Sequence, residues 1–271
     1  MTATRPNVGT CALTGATGKF VRSHLIPRAF CHKNLDKVSR IEWGERGRKP
    51  NLRHTGWYDD HLVTDAGERK LAQYDSFAAN QIRRQGLCWR FFPISESAHR
   101  RQLGEFELIT IPGANSARLR LFFLSLLWRA TTTKHPGFRE IRVDPMSRRK
   151  LRKIVNGDIE ADPADFPIVL VLMTTQGPPQ NLTPLRQRIQ IPQIAEGLPR
   201  DIKACRFFLD GLIAHIGRKS MDTKLLRAWA PRAVGRGDDL IVIGRPYGGS
   251  FQERNWAFLE AGKTTANLRL I

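Results

Sequence analysis

His24 stands in the run Gly18-Lys19-Phe20-Val21-Arg22-Ser23-His24-Leu25-Ile26-Pro27, and a second titratable group, Asp59, Asp60, His61 and Glu68, follows it along the chain. An ordinary histidine is largely neutral at pH 7 and can take a proton from water. Carboxylate oxygens suit hard divalent ions such as magnesium or manganese. Two basic clusters could meet phosphates: Arg46, Arg48, Lys49 and Arg53, and then Arg148, Arg149, Lys150, Arg152 and Lys153. Arg and Lys at such places hold nucleic acid without reading its sequence. Each group also has a plainer reading. His24 could be a hydrogen-bonded histidine at a strand end, and Glu68 a capping residue that offsets the helix dipole. Asp59, Asp60 and His61 could form a solvated turn, and the basic clusters solvated faces.

Other patterns carry less. Gly15-Ala16-Thr17-Gly18-Lys19 lacks the spacing and the following Ser or Thr of a phosphate loop, so it is read as a turn. Gly244–Ser250 leads into a helix start and is likewise read as a loop. Neither a G-x-S-x-G elbow nor an H-E-x-x-H motif is present.

The elements that must position these residues follow from periodicity. Residues 9–18 read as a Gly-rich turn, 19–26 as a strand stopped by Pro27, 40–56 as a loop, and Trp57 to Val63 as a short strand. Leu71, Tyr74, Ala78 and Ile82 recur at helical spacing, which predicts a helix over 65–84 with Asp65 as N-cap. A strand is expected at Phe106–Ile111, ended by Pro112-Gly113. The broad apolar face of Ala117–Thr132, capped by Ser116, predicts the central core helix. A basic helix over 146–156 and a buried strand over Phe166–Thr174 come next. Asp210-Gly211 predicts a type I′ hairpin within 204–216. A strand at Leu240–Ile243 and a helix capped by Ser250 and ended by Gly262 complete the chain. Helices and strands do not alternate regularly, so the expected class is α+β.

The stretch Cys11-Ala12-Leu13-Thr14-Gly15, with Ser23-His24-Leu25-Ile26-Pro27 after it and Thr64-Asp65-Ala66-Gly67-Glu68 further on, resembles the opening of HNH-type, or ββα-metal, nucleases. The resemblance covers residues 11–85. "SHLIPRAF" together with the later "LFFLSLLWRA" is similar to a group of uncharacterised bacterial HNH-like proteins, which implies no activity for the second stretch. The resemblance implies that His24 is the general base that activates water against a phosphodiester. It implies a metal ligand on the helix, for which Glu68 is nearest, with Asp59, Asp60 and His61 as further candidates. The chain departs from the family pattern in two ways. Of four zinc thiolate positions only Cys11 is a cysteine, the others being Thr14, Thr64 and Gly67, so a structural zinc is not expected. The residue before the histidine, often a metal ligand, is Ser23. An N-terminal ββα-metal-like module over 1–112 is expected, followed by an α+β domain over 113–271 around the helix 117–132.

Charge narrows the partners. Lys and Arg number 44 against 25 Asp and Glu, a formal net charge of +19, and such a field attracts polyanions. Nucleic acid, and DNA first, is therefore the expected partner, with a protein partner or a homo-oligomer also open. No apolar run approaches the roughly 20 residues needed to cross a bilayer, so no membrane and a cytoplasmic location are expected. The four cysteines, Cys11, Cys31, Cys88 and Cys205, form no C-x-x-C pair, which argues against a disulfide framework. The expected function is a basic DNA-binding protein with a divergent HNH-like module. One reading makes it a magnesium- or manganese-dependent endonuclease. The other makes it a catalytically inactive pseudo-nuclease, a nucleic-acid-binding or assembly subunit. A third class, a structural protein whose charge meets an acidic partner, is disfavoured by the clustering of charge in 46–53.

Overall fold

A computed structural model describes residues 7–31, 41–43, 51–52, 56–190, 201–230 and 232–260. The first part of the chain carries short strands: β1 (Val8–Thr10), β2 (Thr17–Lys19), β3 (Ser23–His24), β4 (Ile41–Trp43), β5 (Asn51–Leu52) and β6 (Tyr58–Asp59). Helix α1 (Asp65–Arg84) follows, then β7 (His99–Leu103) and β8 (Phe106–Ile111). Helices α2 (Ser116–Thr132) and α3 (Pro145–Asn156) lead to β9 (Ile168–Met173), β10 (Asn181–Leu182), β11 (Leu185–Gln190), β12 (Asp201–Leu209) and β13 (Leu212–Gly217). Helix α4 (Thr223–Trp229), β14 (Leu240–Arg245) and α5 (Phe251–Glu260) close the order. Helices and strands are mixed, so the class is α+β.

Seven strands form the main sheet in the order β11-β12-β13-β9-β14-β8-β7. All neighbours run antiparallel except β9 and β14, which are parallel. Side chains alternate across it. Phe207, Leu209, Leu212, Leu170, Val242 and Ile109 share one face and one core with Phe122, Phe123, Leu126 and Leu127 of α2. α2 is buried on nearly every side because it lies between this sheet and the helices α1 and α3, which both pack on it. The opposite sheet face carries two smaller clusters, one around Trp89, Phe208 and Tyr247, the other around Ile202, Leu226 and Ala230.

The expected division at residue 112 falls between β8 and α2, and β8 is hydrogen-bonded to β14, with Ile111 opposite Leu240. The hairpin forms at Asp210-Gly211, where both residues have positive φ, 53° and 93°, as the type I′ turn requires. Gly211 is needed for a second reason: a Cβ there would lie 2.4 Å from Nε1 of Trp89.

Several local expectations are corrected. Residues 19–26 are not one strand: β2 ends at Lys19, Phe20 forms an isolated bridge to Thr64, and β3 covers only Ser23–His24. Only Tyr58 and Asp59 of the strand expected over Trp57–Val63 are paired. β4 and β5 lie inside the expected loop 40–56, and β4 pairs with the distant β10, which no local pattern announces. The N-cap of α1 is Thr64, while Asp65 is the first helical residue and forms an ion pair with Arg69. Asn115 caps α2 by accepting from the Arg118 N–H at 3.2 Å, because the Ser116 hydroxyl accepts from the N–H of Gly235 at 2.7 Å.

Candidate functional site

β3 and β6 pair antiparallel, Ser23 opposite Asp59 and His24 opposite Tyr58, and the chain then enters α1. The strand pair holds His24 half-buried beside the helix start. Glu68 stands in the first turn of α1, and one of its carboxylate oxygens, Oε2, is buried without a hydrogen-bond partner. The Ser23 hydroxyl is buried and likewise has no partner.

Two further residues join them. Asp75 lies two turns along α1 from Glu68, and Arg129 of α2, 1% exposed, donates from Nη2 to both Asp75 oxygens at 2.9 Å. Burial pushes the Asp75 carboxyl above the usual range, and Arg129 pulls it back. Glu68 pushes it up and His24 pulls it down, so both lie within electrostatic range of this one carboxylate. Nε and Nη1 of Arg129 have no hydrogen-bond partner. Neither periodicity nor motif singles out Asp75 and Arg129. The one signal in the sequence is an arginine within the run Leu121–Ala130, apolar apart from it and Ser125, where a charge needs a partner.

The other expected ligands are arranged differently. Asp59 uses both carboxylate oxygens: Oδ2 accepts from the Thr133 hydroxyl at 2.6 Å, and Oδ1 from the His61 N–H at 2.8 Å. Asp60 pairs with Arg22 at 3.2 Å in solvent, and Arg22 lies over the Tyr58 ring. His61 is exposed, edge-on to Phe20. Among the described residues, no three His, Cys, Asp or Glu side chains are grouped to hold a metal ion. Of the expected carboxylate ligands, Glu68 is the one with a buried oxygen that has no hydrogen-bond partner.

Cys11, Thr14, Thr64 and Gly67, the positions that the resemblance matched to zinc ligands, are neighbours in space. The Cys11 thiol accepts from the Thr14 N–H at 3.5 Å, and a Cβ at Gly67 would lie 2.7 Å from its sulfur. Burial pushes the Cys11 thiol up, but hydrogen bonds from Thr14 and from the backbone of Thr64 and Leu13 outweigh it and leave the thiol below its ordinary range. Cys11, Thr14, Thr64 and Gly67 therefore surround one point at the start of α1.

The two basic clusters stand differently. Arg46, Arg48, Lys49 and Arg53 lie outside the described residues. On α3, Arg148, Arg149 and Lys153 are exposed. Lys150 instead pairs with Asp165, and Arg152 donates to the Leu13 carbonyl at 2.7 Å, so both hold the fold together. Among the described residues, no helix is long and apolar enough to cross a membrane.

Compared with known proteins, no protein-family model matches the chain, and neither a curated protein nor a solved structure matches it.

Proposed function

We propose that the chain is a basic, DNA-binding protein with a divergent HNH-like module that cleaves phosphodiesters with a divalent metal. The observation that supports this reading is the antiparallel pair of β3 and β6 leading into α1, with His24 on the strand pair and Glu68 on the helix both within electrostatic range of Asp75. The gathering of Cys11, Thr14, Thr64 and Gly67 supports the same resemblance from independent residues. His24 takes the proton of the attacking water, a role that needs an imidazole largely neutral at pH 7. Glu68 would hold magnesium or manganese, with waters completing the ion's coordination, and the ion would supply charge stabilisation at the phosphate. The net charge of +19, with Arg148, Arg149 and Lys153 exposed on α3, draws the duplex in.

A second reading, a pseudo-nuclease that binds without cutting, is favoured by Ser23 before the histidine and by Asp59 being fully engaged by Thr133 and His61. One assay separates the two. Purified protein is incubated with plasmid and with single-stranded DNA in magnesium and in manganese, with His24→Ala alongside. The nuclease reading expects cleavage by the parent chain and a loss of about 100-fold or more in the variant, with DNA binding retained. Binding without cleavage under either metal selects the pseudo-nuclease. Equal cleavage by parent and variant removes His24 from the reaction.

A further inference from the structure

On the sheet face turned away from α2, a buried cation has no carboxylate to answer it among the described residues. Arg206 of β12 is 4% exposed, and its cross-strand neighbour His215 of β13 shares its face. Arg206 donates to the side-chain oxygen of Gln252 and lies 4.6 Å over the Phe251 ring, both on α5. Burial alone accounts for the shift of its guanidinium down to about 9, and no acidic side chain pairs with it among the described residues. A helix laid on a sheet ordinarily turns apolar residues inward. α5 instead turns Gln252 and Asn255 inward, each 1% exposed.

The polar groups around Arg206 are incomplete. Nη1 of Arg206, Nδ1 of His215, Oε1 of Gln187 and both Oδ1 and Nδ2 of Asn255 are buried with no hydrogen-bond partner. Gln187 lies on the same face, since it pairs with Ala204, two residues before Arg206. Buried polar atoms are nearly always satisfied, and a buried charge is nearly always paired. A buried cation with no carboxylate partner, among unsatisfied polar groups on the strands and the helix that face it, fits a group that carries negative charge and accepts hydrogen bonds.

We propose that this cluster is a binding site for a small oxyanion, a phosphate or carboxylate group, held between β11, β12, β13 and α5. The anion supplies the missing counter-charge to Arg206 and accepts from its Nη1 and from Nδ2 of Asn255. His215, kept neutral by burial and by Arg206 beside it, donates or accepts according to its tautomer. Oε1 of Gln187 and Oδ1 of Asn255 take a hydroxyl or N–H of the same ligand. His215 is only half-buried, so the cluster reaches solvent on that side. The site lies across the sheet from His24 and does not depend on the nuclease reading.

The test is calorimetric titration of the full chain with inorganic phosphate and, separately, with acetate, against chloride at matched ionic strength. One saturable oxyanion site per chain is expected, and the stronger of the two titrants identifies the ligand's group. Arg206→Met should weaken binding tenfold or more. Asn255→Asp places a carboxylate in the cluster. It should abolish anion binding, raise Tm and leave the circular dichroism spectrum unchanged, and it carries the test alone if Arg206→Met does not fold. The absence of a saturable site for both oxyanions overturns the proposal, as does unchanged affinity in Asn255→Asp.

Discussion

Nη2 of Arg129 donates to both carboxylate oxygens of Asp75 at 2.9 Å, joining α2 to α1 within electrostatic range of His24. Arg129 is 1% exposed, so its charge depends on that carboxylate. Asp75→Asn leaves the guanidinium buried and unpaired, and a loss of about 3–5 kcal/mol is expected in urea unfolding. Replacing both partners, Asp75→Leu with Arg129→Met, should recover most of it, because two apolar side chains leave no charge behind. A single variant with unchanged stability would show that solvent reaches Arg129.

Rebuilding the missing thiols tests the family resemblance without reference to activity. Thr14→Cys, Thr64→Cys and Gly67→Cys, combined with Cys11, should create a four-thiolate site that takes one zinc per chain. Cobalt in its place should give the intense absorption of tetrahedral thiolate coordination. The Gly67 change needs the Cys11 sulfur to move, since a Cβ there would lie 2.7 Å away, and metal ligation supplies the reason to move. A rebuilt chain that binds no metal would separate this turn from the zinc knuckle it resembles.

Duplex affinity should fall steeply with salt. Reversing Arg148, Arg149 and Lys153 to Glu should flatten the slope of log affinity against log salt by about 1 for each phosphate that is no longer neutralised. Folding should be little changed, because all three are exposed. Lys150→Glu and Arg152→Glu should instead lower stability, since those side chains reach Asp165 and the Leu13 carbonyl. Fluorescence anisotropy across a salt series, paired with thermal melts, separates the two groups.

Acid should weaken the fold through His215. Burial, and then the charge of Arg206, holds its imidazole down to about 3 in the folded chain, against about 6.5 when unfolded. Above pH 6.5 both states are neutral there and His215 has no effect on stability. Between 6.5 and 3 only the unfolded chain takes the proton, so stability falls as pH drops, by up to about 1.4 kcal/mol per pH unit. His215→Gln should flatten the decline between pH 6.5 and 5, measured by urea unfolding. An unaltered slope would assign the acid sensitivity to other groups.

Much of the fold is legible where one segment carries its own pattern. Leu71, Ala78 and Ile82 mark the buried face of α1, and the expected limits 65–84 are those observed. Asp210-Gly211 announces its hairpin because few other residues tolerate two successive positive φ angles. What escapes depends on distant partners. Neither the pairing of β4 with β10 nor the capture of the Ser116 hydroxyl by Gly235 leaves a local trace. At the candidate site, His24 and Glu68 are singled out by the resemblance. Asp75 is not, because its neighbour in space is an arginine on another helix.

The antiparallel pairing of β8 with β14 has a consequence for how the chain is made. Ile111 must wait for Leu240 to leave the ribosome before that side of its strand is occupied. At roughly 5–20 residues per second, the wait is on the order of ten seconds. During it, the apolar flank of α2 has no sheet to cover it, since Phe207, Leu209 and Leu212 are also still to come. The nascent chain therefore presents a long hydrophobic helix beside an open strand edge, the kind of surface that ribosome-bound chaperones hold, and its yield in cells should depend on them more than its finished stability suggests.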